Sequence, residues 1–121
     1  MPQIIVETSP ALDHVEWGAF ALALHPLIVE IADARLEACK LLTLRGEYEA
    51  VGDAVATGTG GPAIVHVTIG LLAGRSEETK AELSEATLDL LRKHIEPTDG
   101  VTLYVSAEVR DLDPSYRKFV A

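Results

Sequence analysis

Residues 63–109 constrain the fold more than any other stretch of the chain. Over 63–73, Val65, Val67, Ile69 and Leu71 alternate with Ile64, His66, Thr68 and Gly70, the period-two pattern of a strand. Gly74-Arg75-Ser76 is a hinge, and Ser76 is a good N-cap for a helix over 77–95. Glu77 and Glu78 suit the positive end of that helix's dipole, Arg92 and Lys93 its negative end, and Pro97 stops it. Leu83, Thr87, Leu90, Leu91 and Ile95 form its buried face. A second alternating run over 101–109 puts Val101, Leu103, Val105, Ala107 and Val109 on one side. Thr102, Tyr104, Ser106 and Glu108 take the other. Strands joined through a helix in one sheet make a right-handed crossover and therefore run parallel.

The first half of the chain repeats the plan. Residues 3–8 read as a strand, and Ser9-Pro10 is predicted to open a helix. Trp17, Phe20, Ala21, Leu24, Ile28 and Ile31 recur at helical spacing, with Trp17 in the core. Pro26 removes a backbone donor, which predicts a kink or break near His25. Residues 38–48 read as the second strand. Thr57-Gly58-Thr59-Gly60-Gly61-Pro62 lacks the lysine of a phosphate-binding loop and precedes a strand, so it reads as a turn. The expected fold is α/β: one domain over 1–121, two βαβ units forming a four-stranded sheet, and two helices on one face. The opposite face carries Ile64, His66, Thr68, Tyr104 and Ser106, a mixed surface that predicts an oligomer.

Charge and cysteine usage narrow the partners. A net charge of -9 argues against nucleic acid or an anionic membrane. There is no 18-residue apolar run and no basic segment leading into an apolar one, so neither a membrane span nor a secretory signal is expected. Cys39 stands alone, which excludes an internal disulfide, reads as a small buried hydrophobe and fits a reducing cytoplasm.

Chemistry concentrates at three positions. Met1-Pro2-Gln3-Ile4-Ile5-Val6-Glu7 places a proline between the initiator methionine and a strand. Aminopeptidases remove methionine before a small residue, and proline qualifies. The chain would then begin with a secondary amine. An α-amino group titrates at roughly 7.7–8.0 and lower when buried, so it can serve as a general base near neutral pH. The plain alternative is that Pro2 merely permits methionine removal. Arg75 sits where a strand turns into a helix N-terminus, a place that favours anions, and its fork fits a carboxylate. The alternative there is an ion pair with Glu77, Glu78 or another acid. His66 reads as a hydrogen-bonded interface residue before an acid–base group. His14, His25 and His94 show no metal-ligand spacing.

These stretches together resemble the tautomerase superfamily, and within it the 5-carboxymethyl-2-hydroxymuconate isomerases. The likeness rests on PQIIVETS from Pro2 to Ser9, IVHVTIGLLAGRS from Ile64 to Ser76, and EVRDLDP from Glu108 to Pro114. The resemblance implies an isomerase with no cofactor or metal, assembled as a homotrimer. Its base is the amino-terminal proline, Pro2, and its substrate is a small unsaturated 2-hydroxy or 2-oxo diacid held by cations. Arg75 is one such cation. In the second strand the family carries a pattern resembling Gly-Ile-Arg-Ser-Arg, whereas this chain has Ala38-Cys39-Lys40-Leu41-Leu42. Lys40 keeps one charge without the fork; the alternative is a plain surface lysine. Leu42 replaces the second arginine, and Arg45 is out of phase with it. This departure opens two further readings: a tautomerase of a phenylenolpyruvate-like substrate, and a non-catalytic oligomeric binding protein.

Overall fold

The computed structural model describes residues 1–57 and 60–121. Among the described residues six strands and two long helices follow in chain order: β1 (Gln3–Thr8), α1 (Trp17–Ala32), β2 (Lys40–Arg45), β3 (Ala50–Val51), β4 (Ala54–Val55), β5 (Gly61–Leu71), α2 (Glu77–His94) and β6 (Val101–Asp111). Single 3-10 turns occupy Pro10–Leu12 and Leu36–Ala38. The main sheet has the order β2-β1-β5-β6. β1 pairs parallel with β2, β5 parallel with β6, and the two units meet along an antiparallel β1–β5 seam. The two βαβ units, the four-stranded sheet and the helices on one face are as the sequence predicts.

Alternation decides which face is covered. Ile4 and Val6 of β1 and Val65, Val67 and Ile69 of β5 are buried beneath Phe20, Leu24 and Ile28 of α1 and Leu83 and Leu91 of α2. Each such side chain contributes roughly 1.5–3 kcal/mol by leaving water. Trp17 packs against this core without being fully buried, its ring edge-on to Phe20 at 5.6 Å. Thr87 is buried mid-helix, and its hydroxyl donates to the Leu83 carbonyl at 2.7 Å. The Ser76 hydroxyl accepts from the Thr79 N–H at 3.1 Å, as expected of the cap of α2.

Four features differ from expectation. Ser9 opens a single 3-10 turn instead of the long helix, because it is tied to β5. Its hydroxyl accepts from the Ile64 N–H at 2.7 Å, and its own N–H donates to the Ile64 carbonyl at 3.0 Å. The helix starts only at Trp17. Pro26 does not break it, and α1 continues to Ala32. The carbonyl left without a donor is that of Leu22, four residues back on the exposed side, where water can satisfy it. The second strand is shorter than 38–48, because a 3-10 turn precedes it and the Gly46 N–H folds back onto the Thr8 carbonyl at 2.9 Å. Beyond it, β3 and β4 form a small hairpin that no sequence signal announced. At the glycine-rich turn, Thr57 and Gly60 exchange backbone hydrogen bonds, while Gly58 and Thr59 lie outside the described residues.

Candidate active site

Pro2 is buried at the start of β1, next to the start of β2. Its carbonyl accepts from the Lys40 N–H at 3.2 Å. The Met1 amine donates to the Ala38 carbonyl at 3.2 Å, and the Lys40 ammonium donates to that same oxygen at 3.0 Å. Two nitrogen donors thus converge on one carbonyl. Desolvation first, then the hydrogen-bonding and charge of Lys40 and the charge of Lys118, lower the Met1 amine from 8.0 to about 6; Cys39 opposes them weakly. The Met1 amine is therefore largely neutral at pH 7. The structure thus brings Pro2 and Lys40 together.

Arg75 points elsewhere. Its Nε donates to the Ala32 carbonyl at 2.8 Å, Nη1 to the Leu72 carbonyl at 3.2 Å, and Nη2 to the Asp33 carbonyl at 3.3 Å. Ala32 ends α1, and Asp33 follows it in the left-handed region at φ 55°. The guanidinium therefore caps the negative end of α1 and satisfies carbonyls that the helix leaves open. Among the described residues neither Glu77, Glu78 nor another acid pairs with it, and Glu77 binds Lys80 at 2.9 Å. Of the five N–H groups an arginine carries, two remain for a ligand. Arg45 lies on the helix-covered side, out of phase with Lys40 as expected, and forks Asp13 at 2.8 and 2.9 Å.

The uncovered face has its own order. Strand register aligns Lys40, Gln3, Gly70 and Arg110 in one row, Leu42, Ile5, Thr68 and Glu108 in the next, and Leu44, Glu7, His66 and Ser106 in a third. The β1–β2 side mixes Leu42, Ile5 and Leu44 with Lys40, Gln3 and Glu7, and Leu42 and Leu44 are at least half exposed. The β5–β6 side is polar. His66 Nε2 lies 3.1 Å from Glu108 Oε1 and Nδ1 lies 2.7 Å from Ser106 Oγ, while Arg110 donates to Glu108 at 3.0 Å. With the proton on Nε2, the imidazole donates to Glu108 and accepts from Ser106. His66 is thus hydrogen-bonded on the face that needs cover, as its sequence position suggested.

Concavities of about 240, 560 and 560 Å³ lie at the far end of the sheet, around Ser9, Tyr48, Thr98 and Leu103. None is lined by Pro2, Lys40 or Arg75. Among the described residues no cluster of three His, Cys, Asp or Glu is placed to hold a metal ion, and no helix is long and apolar enough to cross a membrane. Cys39 is half-buried and its thiol is pushed up, chiefly by desolvation.

No protein-family model matches the chain, and no curated protein matches it. Solved structures do. A 5-carboxymethyl-2-hydroxymuconate isomerase from Deinococcus radiodurans R1 is 22% identical with a TM-score of 0.81, over 97% of this chain and 88% of that one. A 5-carboxymethyl-2-hydroxymuconate delta-isomerase is 15% identical with a TM-score of 0.78, over 100% and 89%. A symmetric trimer of fused 4-OT is 20% identical with a TM-score of 0.68, over 96% and 92%. At these identities the likeness lies in the backbone, and the chain has the tautomerase-like α/β fold that its sequence resembles.

Proposed function

We propose that this chain, after loss of Met1, is a cofactor-independent tautomerase that uses the Pro2 amine as general base on an unsaturated 2-hydroxy or 2-oxo carboxylate. The observation that carries the reading is the setting of the amino terminus: Pro2 is buried at the start of β1, bonded to the Lys40 backbone, with the Lys40 ammonium on the neighbouring Ala38 carbonyl. A neutral secondary amine takes the proton from the dienol oxygen or C3. The electron pair shifts along the conjugated chain, and the prolyl ammonium returns the proton at C5, leaving the 2-oxo isomer. Cations beside the amine hold the carboxylate and disfavour the ammonium between the two transfers. Lys40 is the cation beside the amine; Arg75, the second named binder, is turned to the end of α1 and offers a ligand its two spare N–H groups. The muconate-type diacid handled by the isomerases of this fold is the first candidate substrate.

The three concavities described above lie away from the proline end, and in this reading a neighbouring copy completes the site. The uncovered sheet face supplies the contact in a homotrimer, the assembly of the fused 4-OT of this fold. A second substrate reading rests on Leu42, which is 59% exposed on the same face as Lys40. An apolar group there fits a phenylenolpyruvate-like monocarboxylate better than a second carboxylate. The experiment compares native protein with the same chain carrying one uncleavable residue before Pro2. The extension turns the amine into an amide and removes its basicity. Both enols are followed by ultraviolet absorbance as they ketonise. Turnover by the native protein alone is expected. Equal rates would refute the role of Pro2. No turnover of either enol, with Pro2 free by mass spectrometry, would leave a non-catalytic binding oligomer.

A further inference from the structure

Among the described residues the most exposed large apolar side chains are neighbours: Phe119 at 88% and Val120 at 89%. They follow two cations, Arg117 and Lys118. Arg117 donates to the Pro114 and Tyr116 carbonyls at 3.1 and 2.8 Å. Among the described residues neither cation has a carboxylate within ion-pair distance. A basic pair leading into an apolar pair, all held out in water, has the chemistry of a docking segment.

A concavity of about 560 Å³ beside the β3–β4 hairpin has the complementary chemistry. Pro10, Val55, Pro62 and Val101 give it apolar walls. Its charged residues are Glu47 and Glu49, and among the described residues neither has an ion-pair partner. Tyr48 and Val55, which both line it, are 78% and 50% exposed, so their own chain leaves apolar surface uncovered there. The other two concavities each include an arginine, Arg45 or Arg92, which offsets their carboxylates.

Chain length decides whose cavity it is. The Leu112 N–H donates to the Leu71 carbonyl at 2.6 Å, so the segment after β6 departs from the last residue of β5. The cavity lies against Gly61 and Pro62, at the other end of that strand. The 11 residues of β5 span about 33 Å. From Leu112 to Phe119 the chain reaches at most about 25 Å when fully extended. The turn closed by the Tyr116 N–H on the Asp113 carbonyl at 2.9 Å shortens that reach. Phe119 therefore falls short of the cavity in its own chain. We propose that Phe119 and Val120 of one copy enter the hairpin cavity of a neighbouring copy, with Arg117 and Lys118 on that copy's Glu47 and Glu49. Each copy then gives one segment and receives one, a heterologous contact of the kind that closes a ring. This contact is separate from the sheet face and independent of the chemistry at Pro2.

The test uses the full chain with Cys39→Ser and two new cysteines. Ala121→Cys lies next to the apolar pair, and Ala11→Cys lies in the cavity wall. In the control, Ala19→Cys on the exposed side of α1 takes the place of Ala11→Cys. Oxidised glutathione takes the electrons as two protein thiols join, and linked copies are read as covalent oligomers on a non-reducing gel. The cavity pair should link copies at least about tenfold faster than the control, a difference set by burial of the apolar pair. Phe119→Ser in the same chain should remove most of that advantage. Arg117→Glu with Lys118→Glu should slow linking about three- to tenfold, and adding Glu47→Lys with Glu49→Lys should restore it. Equal rates for cavity pair and control overturn the proposal. So does a disulfide formed within single chains, and so does a charge reversal without rescue. A protein that stays trimeric while the cavity pair fails to link refutes this contact and leaves the sheet-face contact standing.

Discussion

Replacing Arg75 by alanine removes three charge-assisted hydrogen bonds from backbone carbonyls. The Nε bond to Ala32 is half-buried and contributes about 1.5 kcal/mol. The two exposed bonds and the favourable charge at the end of α1 add roughly 0.5 kcal/mol, after discounting for water. The expected loss is therefore about 2 kcal/mol, or an unfolding midpoint roughly 8 °C lower for a chain of this length. Arg75→Lys should recover less than half, since an ammonium is a point charge and cannot reach carbonyls on two sides. The assay is thermal unfolding by circular dichroism, with kcat/KM measured well below the midpoint. If the two spare N–H groups also hold substrate, KM rises in the same variant at temperatures where it is fully folded. An unchanged midpoint in Arg75→Ala would refute the capping argument, and the guanidinium would then be free for ligand alone.

Three other outcomes are expected. Light scattering should report a particle of about three times 13.0 kDa, and a stable monomer at micromolar concentration would contradict the sheet-face argument. Glu108 is held below the ordinary glutamate value of 4.5 by hydrogen bonds from His66 and Arg110. The stability it contributes is present above that value and lost as pH falls through the lowered one, so Glu108→Gln should flatten the acid limb of a melting-temperature profile; a limb of native slope counts against it. Ser76→Ala removes the α2 cap and should cost about 1 kcal/mol in urea unfolding, with no loss meaning that the Thr79 N–H is equally well hydrated.

The parts of the fold that could be read from the residues are those whose signals are local. Ser76, Glu77, Glu78 and Pro97 bracket α2 because capping, dipole and ring act within one turn. The β5 and β6 alternation is long enough to declare its faces. Where a long-range partner competes with a local signal, the local reading fails. Ser9 has the chemistry of a cap, but Ile64, far along the chain, takes its hydroxyl. β3 and β4 have two residues each, too few to show a period. The site divides in the same way. Pro2 and Lys40 are neighbours through adjacent strands, and their pairing follows from the parallel register. Arg75 stands at the predicted hinge, yet the direction of its side chain is set by the end of α1, a partner no spacing reveals.

The antiparallel seam between β1 and β5 has a consequence for how the molecule can be divided. Within the main sheet the two βαβ halves pair through the six register pairs from Gln3–Gly70 to Thr8–Val65, and outside that ladder the Ser9–Ile64 bonds and those of Arg75 to Ala32 and Asp33 also join them. The covalent link between the halves runs through the exposed stretch from Gly46 to Asp53, which lies outside the main sheet. A backbone cut in that stretch would leave two fragments, each with its own strand pair and helix, and each presenting one bare inner strand and half an apolar core. Neither fragment has another surface as well matched to those groups as its former other half. The protein should therefore reassemble from separately expressed halves, and a split version would serve as a complementation reporter.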